Sequence, residues 1–69
     1  MKPDWKDAPK WANWLAMDRS GQWVWFQEKP YCKNGLWCLV DNSYYVSLKC
    51  YSNKIEDRRS WKESLEERQ

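Results

Sequence analysis

A small, mainly β domain is the fold class this sequence predicts: an antiparallel meander of three or four strands with an extended N-terminal arm and a short C-terminal helix. Three observations predict it. Residues 44–51 alternate, with Tyr44, Val46, Leu48 and Cys50 on one side and Tyr45, Ser47, Lys49 and Tyr51 on the other. That is the period of a strand with one covered and one solvated face. Two turn signals, "DRSG" at 18–21 and the pair Asn34-Gly35, divide the apolar runs at hairpin spacing, because Gly and Asn tolerate positive φ. Beyond Asn53 the composition changes to "KIEDRRSWKESLEERQ", in which Ser60 and Glu63 have the spacing of a capping box and Trp61 and Leu65 lie at i, i+4.

The elements follow in order within one domain, 1–69, since so short a chain cannot divide and keep two cores. Residues 1–10 hold two prolines and no periodicity and read as an arm, pinned to the body by Trp5. The meander covers 12–51. Residues 13–17 are read as its first strand, although Trp11, Trp14 and Leu15 also fit a helical i, i+3, i+4 pattern. After the "DRSG" turn, Gln22 to Gln27 forms the second strand, with Trp23 and Trp25 on one face and Gln22, Val24 and Phe26 on the other. Leu36 to Val40 follows the Asn-Gly hairpin, "DNS" turns, and Tyr44 to Tyr51 closes the sheet. The segment 54–67 is expected to be helical from near Ser60, docking through Trp61 and Leu65, with Glu63 and Arg68 placed to suit the helix dipole.

The core must be largely aromatic. Leu, Ile and Val number only nine, against seven Trp, four Tyr and one Phe, and a large ring can bury about 150–250 Å². Most rings are therefore expected inside, with a minority left as a working surface. Twelve basic and ten acidic residues are interspersed, five of each in 54–69, which is not the one-sided basic footprint of a duplex-DNA binder. Cys32, Cys38 and Cys50, with no His beside them, have the wrong number and spacing for structural zinc. They are expected as free, mostly buried thiols in a reducing cytoplasm. A Cys38–Cys50 bridge between neighbouring strands is a minor alternative. No signal peptide and no membrane-spanning run are read from the chain.

Enzymatic chemistry is not expected. The chain has no His for general-base work near pH 7, no recognisable nucleophile setting and no Gly-rich phosphate cradle, its two glycines being used by turns. Neither a catalytic residue, a metal nor a cofactor is assigned. Trp, Tyr and Arg are the residues enriched at binding hot spots, and the candidate contact surface is Trp5, Trp23, Trp25, Trp37, Tyr45 and Tyr51. Self-association through an edge strand is one outlet for surplus aromatic area. The rival expectation is a nucleotide or single-stranded nucleic-acid binder that stacks bases on these rings, with Lys2, Lys6 and Lys10 following phosphates.

Residues 3–30, "PDWKDAPKWANWLAMDRSGQWVWFQEKP", resemble the DW-x2-AP-x-WA-x-W-x-A-x-D-x2-G-x-W-x-W pattern of small proteins of tailed bacteriophages and prophages. "RRSWKESLEER" is similar to the W-x-x-S-L close common in such proteins. The matching positions are Asp4, Trp5, Ala8, Pro9, Trp11, Ala12, Trp14, Ala16, Asp18, Gly21, Trp23 and Trp25, then Trp61, Ser64 and Leu65. The middle of the chain, with its cysteines and "NSYY", departs from the pattern. Most such proteins have no assigned activity, so the resemblance implies a context. That context is a phage-encoded, non-enzymatic binding protein of the host bacterial cytoplasm that modulates or inhibits a host protein, a defence component among the candidates. A structural phage component is disfavoured, since nothing resembles an assembly arm or coiled coil.

Overall fold

The computed structural model describes residues 2–51 and 58–69, without the side chain of Cys50. It is mainly β. Strands β1 (Trp14–Met17), β2 (Gln22–Phe26), β3 (Tyr31–Lys33), β4 (Leu36–Cys38), β5 (Tyr45–Tyr51) and β6 (Glu66–Glu67) form a four-stranded antiparallel sheet in the order β5-β2-β1-β6 and a separate β3–β4 ribbon. The two expected hairpins are present, yet the ribbon stands outside the sheet and β5 returns to β2. The composition of β2 supplies the reason. "WVWF" is apolar on both faces and reads as a central strand. Its free edge is covered by the seven residues of β5 rather than the three of β4.

The β1–β2 hairpin pairs Leu15 with Trp25 and Met17 with Trp23 on one face, and Trp14 with Phe26 and Ala16 with Val24 on the other. Asp18 organises its turn: Oδ1 accepts from Ser20 N at 2.9 Å, Ser20 Oγ at 2.6 Å and Gln22 N at 3.0 Å. Gly21 takes φ 91° there, as an L-residue would not without strain. The β3–β4 turn has φ 54° at Asn34 and 76° at Gly35, the two positive values of a type I′ hairpin. A Cβ at Gly35 would also lie 2.8 Å from Arg19 Nη1. Gly35→Ala is therefore expected to cost about 1–2 kcal/mol, mostly left-handed strain because the Arg19 tip can swing away. A denaturant midpoint equal to wild type would contradict that.

Two apolar clusters flank the β1–β2 pair. One gathers Ala12, Leu15, Met17, Trp23, Trp25 and Trp61, with Trp5, Ala8, Trp11, Trp37 and Leu48 against it. The other gathers Ala16, Val24 and Phe26, with Trp14, Trp37, Leu39 and Leu65 around it. Trp37 touches both, and its Nε1 donates to Met17 O at 2.9 Å, which holds the ribbon to the end of β1. The expected division of β5 into a covered and a solvated face is weaker than the pattern suggested. Val46 remains 39% exposed and Tyr44 66% exposed, since β5 is an edge strand and Tyr44 lies outside it, beside Trp11.

The arm is not extended throughout. Trp5–Asp7 forms a 3₁₀ turn capped by Asp4, whose Oδ1 accepts from Lys6 N at 3.0 Å. This turn seats Trp5 on Trp25 with ring centroids 4.8 Å apart, so the expected pinning role stands.

The C-terminal segment departs most from the reading above. Residues 54–57 of the expected helical segment lie outside the described residues. Trp61–Glu63 is a single 3₁₀ turn, Ser60 makes no side-chain cap, and Glu66–Glu67 is a strand on β1. A helix would put Trp61 and Leu65 on one side, whereas they pack on opposite faces of the sheet. Pairing with β1 also satisfies backbone groups on an edge that a helix would leave open. Ser64 makes the transition, its Oγ accepting from Met17 N at 2.7 Å and donating to Trp61 O at 2.6 Å. Arg68 does not serve a helix dipole. Its Nη1 donates to Pro9 O at 3.0 Å and Ala12 O at 2.7 Å, clasping the arm.

Candidate functional site

The rings sort by chemical type. None of the seven tryptophans is exposed, while all four tyrosines are. Trp23 and Trp25, expected as contact residues, are 8% and 2% exposed and form the core face of β2, which corrects that assignment. Trp5 and Trp37 are half-buried against the same cluster. Tyr45 and Tyr51 alone of the six candidates are exposed, at 54% and 51%. The physical reason is that Trp carries the larger apolar area and one polar atom, while a Tyr can keep its hydroxyl in water at a sheet edge.

Cations sit over three of the tryptophan rings. Lys29 Nζ lies 5.4 Å from the Trp14 ring centroid, Arg68 lies 5.7 Å from Trp5, and Lys62 lies 5.8 Å from Trp61. Each cation occupies a ring face that a base would need for stacking.

The candidate site is a cleft of about 260 Å³ between the β4 ribbon and the face of β2 and β5, lined by Asp18, Val24, Phe26, Leu36, Trp37, Leu39, Tyr45 and Ser47. Of the candidate contact residues it brings together Trp37 and Tyr45 only. Val24 and Phe26 pair with Ser47 and Tyr45, so four lining side chains project from one face of the sheet. Leu36, 60% exposed, stands at the mouth with Tyr45. Asp18, Val24, Phe26, Leu36, Leu39 and Ser47 are not among the candidate contact residues. Asp18 reads in the sequence as a turn residue, and the approach of the ribbon to β5 is a tertiary event with no local signal.

A second cleft of about 290 Å³ is lined by Met17, Trp23, Ser60, Glu63 and Ser64. Beside it, Trp23 Nε1 is buried and has no hydrogen-bond partner among the described residues.

Glu66 ties the termini together. Its carboxylate accepts from Lys2 Nζ and Trp5 Nε1, and these bonds, the Lys2 bond first, hold its pKa below the usual carboxylate value. The stabilisation is present above the unfolded carboxylate pKa and is lost as pH falls through the folded value. Glu66→Gln is thus expected to destabilise by under about 1 kcal/mol near pH 7, because solvent screens the half-exposed pair. The difference from wild type should shrink between pH 5 and 3 in chemical denaturation, as expected near and below a carboxylate pKa of about 4. A pH-independent difference would show that the carboxylate charge is not the cause.

The cysteines hold no bridge across the ribbon. Cys32 pairs with Trp37 and Cys38 with Tyr31, so the two thiols face opposite sides. Cys32 is exposed rather than buried. Cys38 is free, β4 and β5 are not sheet neighbours, and the Cys50 side chain of the alternative Cys38–Cys50 bridge lies outside the described residues. Among the described residues no three Cys, Asp or Glu side chains converge as metal ligands would, and no helix is long and apolar enough to cross a membrane. No family model, curated protein or solved structure matches the chain.

Proposed function

We propose that this chain is a non-enzymatic protein-binding domain, phage-encoded, that modulates or inhibits a host protein in the bacterial cytoplasm. One observation carries the reading. Exposed Leu36 and Tyr45 frame a largely apolar cleft on the face of β2 and β5, with the half-buried Trp37 in its lining. An exposed aromatic beside a pocket is the pattern of an interface hot spot. The likeness of residues 3–30 and 58–68 to small phage proteins supports the host context.

The test is affinity capture from nuclease-treated host lysate with wild type, Tyr45→Ala and Leu36→Asp. Both variants lie at exposed positions and should keep stability within about 0.5 kcal/mol. Loss of a nuclease-resistant partner by at least tenfold in both is the expected result. Retention of that partner in both would remove the cleft from the interface.

A second reading rests on Tyr45, Lys49 and Tyr51, which all stand exposed on β5. Aromatics interleaved with a cation suit stacked bases. Nuclease-sensitive recovery, with quenching of tyrosine emission by oligonucleotides, would favour it.

A further inference from the structure

The cleft has an asymmetry that the binding role alone does not explain. Its walls are apolar or aromatic, from Leu36, Leu39, Phe26, Trp37 and Tyr45, yet its one charged lining residue among the described residues is Asp18. The nearest cation in sequence, Arg19, is turned against Gly35 on the ribbon turn and does not line the cleft. Three donors fix the carboxylate, and all three bind Oδ1. An incoming cation therefore meets a carboxylate already held in place, without the entropy of ordering it.

We propose that this cleft seats one arginine side chain from the partner protein, an assignment that rests on the protein-binding role. Charge complementarity selects a cation, and the walls select one with an apolar stem and a face that can lie on rings. Guanidinium meets both demands, since it stacks on aromatic faces while its edge N–H groups reach a carboxylate. Lysine carries a compact, strongly hydrated charge that gains less from such walls. The hydroxyls of Tyr45 and Ser47 add acceptors at the same lining. The volume, about 260 Å³, falls below the roughly 300–1,000 Å³ of sites for drug-sized ligands. It suits one long side chain.

The test is an NMR titration of the full chain with three blocked tripeptides, each with valine on both sides of a central arginine, lysine or glutamine. The arginine peptide is expected to shift the amides of Tyr45 and Ser47 and the indole N–H of Trp37, with affinity at least tenfold above the glutamine peptide and severalfold above the lysine peptide. Asp18→Asn keeps an Oδ1 acceptor for the three turn donors and replaces the other carboxylate oxygen by an NH₂ donor, which removes both the charge and an acceptor for guanidinium. It should leave the free spectrum otherwise unchanged and weaken the arginine peptide about tenfold. Equal binding of the glutamine peptide, an unaffected Asp18→Asn variant, or no shift in the cleft at millimolar peptide would each overturn the assignment. Equal binding of lysine would overturn arginine in favour of any cation. If the arginine peptide fails while Leu36→Asp still severs the captured partner, the arginine assignment falls and the binding role stands. If Leu36→Asp leaves capture intact as well, both fall.

Discussion

Trp25→Ala is expected to lower the unfolding free energy by about 3–5 kcal/mol, the range for removing a buried aromatic. Trp25 is 2% exposed and pairs across β1–β2 with Leu15, which is fully buried. On its other side it carries the Trp5 ring at 4.8 Å, so the cavity opens directly beneath the arm. Trp5 then loses its seat, and the arm contacts that depend on it are weakened too. Small domains hold a total stability of only about 5–15 kcal/mol. The variant should therefore show a large fraction unfolded, or none folded, at 37 °C. Chemical denaturation followed by Trp emission measures this, and a loss below about 1 kcal/mol would show that the cluster relaxes around the void. Trp25→Phe, which leaves a ring in place, should retain a cooperative transition and keep the comparison measurable.

Trp61→Ala is the second large effect, also about 3–5 kcal/mol, by a different route. Trp61 is 8% exposed and meets Trp37 edge-on at 5.7 Å. It is the anchor from which Ser64 reaches Met17 and from which β6 runs along β1. Its removal should release residues 61–69 before the rest. Hydrogen exchange is then expected to accelerate at Met17 and Arg68, whose amides donate to Ser64 Oγ and Asn13 O, while the β1–β2 ladder stays protected. Uniform acceleration across both regions would mean that the C-terminal strand unfolds only with the whole domain.

Legibility in the sequence followed the range of the interaction. The two hairpin turns were readable because Gly21, Asn34 and Gly35 state their backbone requirement locally. The first strand was readable at 14–17 despite a competing helical spacing, and the alternation of 44–51 located β5. Residues 58–59 are helical, but no helix runs on from Ser60, although Ser60, Glu63, Trp61 and Leu65 satisfy a local helical pattern. A free edge on β1 and two separate clusters on opposite faces of the sheet gave those residues different positions.

Of the six candidate contact residues only Trp37 and Tyr45 line the candidate cleft, for the same reason. Periodicity placed Trp23 and Trp25 together on one face of β2, and it could not say that this face would be covered. Trp5, Trp11 and Trp61 arrive there from segments up to 56 residues apart (61 − 5). By itself, then, the sequence determined an aromatic-cored, antiparallel β domain, the position of its turns, and the anchoring of its arm through Trp5. Only the tertiary structure decided that β5 lies on β2, that Glu66–Glu67 pairs with β1, and that no tryptophan is exposed while all four tyrosines are. Turn geometry and alternation are encoded within a few residues. Strand order and burial depend on which distant edge and which apolar face each segment meets.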